Sequence, residues 1–179
     1  YMNRNNYSLS SQIIPSIFET NLFLIDHKTT TLIEYSAFYG SIQLFQYLLM
    51  NQVDLTPSLW LYSIHSKNAE LIHLLESNRI IPPESKFNKK NHNTNENHSY
   101  LACLIESIKC HHNDFSDYFE NNLMNEDEMK SKQIKEEILS NIMKYHNYLH
   151  FQAEEIKEQG FFYLHLYNYQ QLIDLLLKE

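Results

Sequence analysis

Ten histidines and two cysteines are the side chains of this 179-residue sequence that could hold a metal ion. His146 and His150 stand four apart, the spacing at which two imidazoles on one helical face share a zinc ion. A hydrolytic site of that kind also needs a glutamate directly after the first histidine as general base, and Asn147 stands there instead. The pair can also straddle a turn, which makes them turn or surface residues rather than ligands. Cys103, Cys110, His111 and His112 form a second group. Seven residues place the two sulfurs on similar helical faces, but zinc knuckles use cysteines two to four apart, so Cys103 reads as core and the histidines as turn residues. No metal is assigned to either group. A metal-binding or catalytic helical domain built on His146, His150 or the Cys103 to His112 group is kept as the alternative reading.

Other chemistry finds few carriers. With two glycines in the chain, a G-x-S-x-G elbow, a glycine-rich phosphate loop and a dinucleotide fingerprint are all excluded. No catalytic residue and no cofactor is assigned. Lys86, Lys89 and Lys90 cluster in an Asn-rich stretch and read as a solvated loop, since a net charge of −8 opposes attraction to nucleic acid. No apolar run approaches the roughly 20 residues of a membrane span, so no membrane insertion is expected. Two cysteines are too few for a disulfide framework and suit a reducing cytoplasm, the expected location. Opening on Tyr1 is compatible with a fragment.

The elements that must position these residues are helices. Only 2 Gly and 4 Pro interrupt a chain that is 43% hydrophobic, enough to bury roughly 70% of its unfolded surface. Ile33, Ser36 and Ala37 form one stripe, and Leu44, Phe45, Leu48 and Leu49 a second, on either side of Gly40 and Ser41. Two stripes require two antiparallel helices, with Gly40 at the left-handed position and Ser41 as N-cap. Slid by 27 positions (62 − 35), Tyr35, Ser36, Leu44, Phe45 and Leu48 fall on Tyr62, Ser63, Leu71, Ile72 and Leu75. A shift of 71 (107 − 36) places Ser36 on Ser107, and one of 128 (172 − 44) places Leu44 on Leu172. The chain repeats.

In order, residues 1–25 should hold an N-terminal capping helix, with Ile13, Ile14, Ile17 and Phe18 on its apolar face. Repeat 1 covers 26–51 and repeat 2 covers 52–81, the latter starting with Thr56 as N-cap, Pro57 at N1 and Leu55 against Trp60. Pro82-Pro83 opens an Asn- and Lys-rich inserted loop over 82–98. Repeat 3 covers 99–124. After an acidic break, 129–158 is a degenerate repeat carrying Ile134, Ile138, Ile142 and Tyr145 on one face. Residues 159–179 form a last repeat that ends on an apolar stripe without a solvated cap, so the array is expected to continue.

The segment Asp26-His27-Lys28-Thr29-Thr30-Thr31, followed by Ser36-Ala37-Phe38-Tyr39-Gly40, resembles the ankyrin repeat. Thr31 matches the motif Thr, Ile33 the Leu, Ser36 and Ala37 the small pair, and Gly40 the turn Gly. Leu32 and Glu34 replace the motif Pro and His, so the hydrogen bonding of that His to neighbouring turns is expected to be missing. Across nearly the whole chain the wording is similar to a divergent ankyrin-type family of unknown function expanded in unicellular parasites. The resemblance implies an all-α, ankyrin-like helical solenoid of stacked antiparallel helix pairs with short finger turns, forming a single domain over 1–179.

It also implies a non-enzymatic interaction module that binds another protein through its concave face. Contacts in such proteins come from finger tips and from the two residues before the turn glycine. Here these are His27, Lys28 and Thr30 in the first finger, Phe38 and Tyr39 before Gly40, His65 and Ser66, Lys109 and Cys110, and Leu166 and Tyr167. Tyrosines suit such an interface, while Phe38 and Tyr167 are equally suited to packing under their own turns. A third reading is a structural segment that self-associates through its uncapped C-terminal repeat, where Leu175 and Leu176 would be exposed.

Overall fold

Glycine at position 40 marks a backbone conformation that the chain repeats with other residues. The computed structural model describes residues 8–27, 29–84, 100–147, 150, 164, 166, 167 and 169. Gly40 has φ 65°, and Lys67 and His111, which the shifts of 27 and 71 lay upon it, have φ 54° and 58°. Each left-handed residue turns its N–H back into the helix it ends: Gly40 to the carbonyl of Ala37 at 3.0 Å, Lys67 to Ile64 at 3.1 Å, His111 to Ile108 at 3.1 Å. The next N–H reaches one residue deeper, Ser41 to Ser36 and His112 to Ser107, both at 2.9 Å. Two bonds of this kind satisfy carbonyls that a helix end would leave unpaired. Tyr169 donates to the Leu164 carbonyl at 2.8 Å, which is the Ser41 to Ser36 bond displaced by 128.

Among the described residues the chain is mostly helical, and it gathers into two compact units, 1–83 and 84–179. The division falls at Pro82-Pro83. Two successive residues without an N–H cannot carry a helix across.

In the first unit, α1 (Leu22–Asp26) is followed by α2 (Leu32–Phe38), α3 (Ile42–Met50), α4 (Leu59–His65) and α5 (Ala69–Ser77). α2 packs on α3 across the Gly40 turn and on α4 beside it, and α4 packs on α5. Ile33, Ala37, Phe45, Leu48, Leu59, Trp60, Ile64, Leu71 and Leu75 are buried where these helices meet. The indole N–H of Trp60 donates to the carbonyl of Ile80 at 2.9 Å, so the ring is buried with its polar edge satisfied. α3 and α5 close as α2 does, with Gln52 and Arg79 at φ 55° and 53°.

Among the described residues, the expected helix through Ile13, Ile14, Ile17 and Phe18 does not form. Instead β1 (Gln12–Ile13) pairs antiparallel with β2 (Thr30–Thr31), Gln12 opposite Thr31 and Ile13 opposite Thr30. Ile13, Ile14, Ile17 and Phe18 have helical spacing, but Pro15 disfavours a helical conformation at Ile14, and Ile14, Ile17 and Phe18 stay exposed. α4 also starts later than Thr56 and Pro57 predict. Its first turn is preceded by a tight turn in which Leu59 N–H donates to the Thr56 carbonyl at 3.1 Å.

Glu34 corrects a further expectation. At N3 of α2 it completes a capping box with Thr31. One carboxylate oxygen accepts the Thr31 N–H and hydroxyl, both at 2.8 Å, and the other accepts the hydroxyls of Thr56 at 3.1 Å and of Ser58. Hydrogen bonding between neighbouring turns is thus present, supplied by a carboxylate where the ankyrin pattern has an imidazole.

In the second unit, α6 (Leu101–Lys109), α7 (Asn113–Tyr118), a π-helical turn (Phe119–Leu123), α8 (Glu126–Lys130) and α9 (Lys132–Lys144) follow one another. α6 packs on α7 and on α9. Leu101, Leu104, Ile108, Phe119, Ile138, Ile142 and Met143 are buried. The acidic break is a short helix, because Asn125 and Glu128 form a second capping box. α9 ends through His146, with φ 59°, and the Asn147 N–H donates to the Ile142 carbonyl at 3.0 Å. The inserted loop beyond Glu84 and the stripe at Leu172, Ile173 and Leu176 lie outside the described residues. No helix among those described is long and apolar enough to cross a membrane.

Candidate binding site

Phe38 and Tyr39 close α2, one turning inward and the other outward. Phe38 is 9% exposed and Tyr39 55%. The Phe38 ring stacks 5.9 Å from Phe23 of α1 and 5.2 Å from His65 of α4. Phe23 is the hub of this cluster, with ring centroids 4.3 Å from His27, 4.9 Å from Tyr62 and 4.0 Å from His65. Helix spacing gives the reason, since Tyr62 and His65 occupy one face of α4, three residues apart.

His27 does not extend as a free finger tip. Its Nδ1 lies 2.7 Å from the carbonyl of Phe23, one turn back, and its ring meets Tyr62 at 5.6 Å. Thr30 is buried, its hydroxyl 3.4 Å from the His27 carbonyl and 3.2 Å from the Tyr62 phenol. Burial raises the Tyr62 phenol above its ordinary value and the Glu34 carboxylate adds to this, while the bond to Thr30 works the other way. Ser66 is half-buried and serves the turn, donating to the Ser63 carbonyl at 2.7 Å and accepting from the Asn68 N–H at 3.2 Å. Lys28 lies outside the described residues.

Tyr39 therefore presents the exposed part of the site. Its ring lies 4.8 Å from that of Tyr35, one turn earlier in α2, and its hydroxyl donates to Glu19 at 3.4 Å. The hydrogen bond with Tyr35 comes first among the causes that push the Tyr39 phenol up to about 12, followed by burial and the Glu19 charge. Tyr39 is neutral at physiological pH and acts as a donor. Phe23, Tyr35, Tyr62 and Glu19 were not among the candidates. Tyr35 had a sequence signal in its i, i+4 relation to Tyr39, and Tyr62 in its repeat register with Tyr35.

In the second unit Lys109 is exposed and its ammonium contacts Glu106 at 3.1 Å. Burial lowers that ammonium, and the Glu106 charge and hydrogen bond more than offset it, leaving Lys109 above the ordinary lysine value. Cys110 is half-buried, and burial first, then Glu106, push its thiol up to about 12. Cys103 is buried and its thiol is raised for the same reason. Both thiols are raised, whereas a reactive cysteine has a lowered one. Leu166 is exposed and Tyr167 half-buried.

The two histidines spaced for zinc meet different partners. His146 is the left-handed residue after α9 and its Nδ1 meets the Tyr169 hydroxyl. His150 instead faces Asp117 at 3.5 Å through Nδ1 and Glu120 at 3.4 Å through Nε2. Helical spacing ends at Lys144, so the pair shares no helical face.

The chain matches no family model, no curated protein and no solved structure.

Proposed function

We infer that the chain is a non-enzymatic protein-binding module of ankyrin-like helical pairs, acting in the cytoplasm and engaging another protein through the concave side of its array. The observation that carries the reading is the return of one closing turn at Gly40, Lys67 and His111, at the spacing of the sequence repeat. Solenoids are built from units that repeat in this way, and their surfaces serve recognition. Phe38 and Tyr39 stand before the first of these turns, and His65 and Ser66 before the second. A half-exposed tyrosine on a rigid helix end is a low-entropy anchor for a protein partner.

The test is affinity capture from cell lysate with the wild-type chain and with Tyr39→Ala. Phe38 is left intact because it belongs to the core. Loss of a saturable partner in the variant is the expected result. Capture of the same proteins by both forms would place the surface elsewhere.

A further inference from the structure

Four apolar side chains on either side of position 19 stand exposed. Ile14, Ile17, Phe18 and Leu22 are 78, 93, 84 and 74% exposed. Glu19 lies among them in the chain. Its carboxylate accepts the Asn21 N–H at 2.9 Å through one oxygen and the Tyr39 hydroxyl at 3.4 Å through the other. A carboxylate offers about four acceptor sites, so two are left for a ligand. The rings of Tyr39 and Tyr35, tilted by 54°, border the same corner. Over residues 1–83 the sequence has six carboxylates against four cations, Arg4, Lys28, Lys67 and Arg79, so the unit is acidic.

Each part of this corner favours a cation with apolar neighbours. A carboxylate binds a guanidinium or ammonium through charge-assisted hydrogen bonds, and tyrosine faces attract the same group. Ile17 and Phe18 adjoin Glu19 in the chain and offer apolar surface beside the charge. A second copy of the chain fits poorly, since two bodies of net charge −8 repel.

We propose that this corner binds a basic peptide segment of the partner protein, with an arginine or lysine side chain between Glu19 and the Tyr35 and Tyr39 rings and its apolar neighbours on Ile17 and Phe18. The inference deepens the protein-binding reading and rests on it for the occupant being a protein. The test is titration of the whole chain with a blocked, fluorescent peptide of alternating arginine and leucine, and with the same peptide carrying glutamine for arginine. The arginine peptide should bind at least tenfold more tightly. Glu19→Gln and Tyr39→Ala should each weaken it at least fivefold, and Glu19→Lys should transfer the preference to a peptide of alternating glutamate and leucine. Glu70→Gln, at an exposed position of α5, should leave binding unchanged. Equal binding to wild type and Glu19→Gln, or an equal loss with Glu70→Gln, would overturn the proposal, as would a dimer seen by light scattering that Glu19→Gln dissociates. If Tyr39→Ala loses a captured cellular partner while the arginine peptide fails to bind, the proposal falls and the protein-binding reading stands.

Discussion

The hydroxyl of Thr56 donates to the carboxylate of Glu34 across 3.1 Å, joining the turn before α4 to the first turn of α2. Glu34 is 6% exposed, yet its acceptor sites are filled by Thr31, Thr56 and Ser58, which is what allows a carboxylate to sit there. Glu34→Ala removes charge-assisted bonds from three half-buried hydroxyls, of which those of Thr56 and Ser58 keep each other at 2.7 Å, so it should cost about 2–3 kcal/mol. Glu34→Gln keeps an acceptor and should cost about half of that. Urea unfolding checks both, and Thr56→Val should cost less in the Glu34→Ala background than alone.

The left-handed residues Lys67 and His111 are exposed and carry a Cβ in a region where it is unfavourable by about 1–2 kcal/mol. Replacement by glycine relieves that strain but adds freedom to the unfolded chain, so Lys67→Gly and His111→Gly should each stabilise by about 0.5–1 kcal/mol. Gly40→Ala should do the reverse. An added Cβ would meet Ser66 Cβ at an ordinary 3.5 Å, so its cost comes from φ rather than from a clash. Thermal melts of the three variants give the comparison.

The recurrence of these turns was legible in the sequence because a glycine and a small-residue pair mark the first, and fixed shifts carry the mark along the chain. The strand at Gln12–Ile13 was not, since two opposed signals met there. The apolar spacing favoured a helix, and Pro15 with a distant partner at Thr30 decided for a strand. The Phe23 cluster joins rings 39 positions apart (62 − 23), a separation that periodicity does not address. Glu34 was misread because a role was tied to one residue type, although any acceptor of suitable reach performs it.

Asn147 is buried, and its side-chain amide donates to the Ile108 carbonyl at 2.9 Å and to Asn113 Oδ1 at 2.8 Å. It thereby holds the end of α9 against the end of α6. Asn147→Ala should destabilise the second unit by about 2–3 kcal/mol, because a buried carbonyl loses its donor and a small cavity opens. Hydrogen exchange at the Ile108 to Asn113 amides should accelerate, and unchanged protection would refute the role.

Cys110 has a thiol pushed up to about 12 by burial and by Glu106. At pH 8 its thiolate fraction is roughly a thousandfold below that of an unperturbed cysteine, so alkylation of the folded chain should be slower by about that factor. The folded state holds the proton more tightly than the unfolded state. Its contribution to stability is therefore complete below the ordinary thiol value near 9 and is lost as pH rises from there towards 12. Cys110→Ser should flatten stability over that alkaline range, as measured by denaturant melts at successive pH values.

The bonds that close the helices run between peptide groups, Ser41 to Ser36, Ile80 to Leu75 and His112 to Ser107, and none needs a particular side chain beyond tolerance of a positive φ. A hinge made this way places little demand on the genetic text around it. Substitutions can accumulate at such corners until their spelling is lost while the path of the chain persists, which makes the spacing between corners a more durable record of ancestry than the letters that fill them.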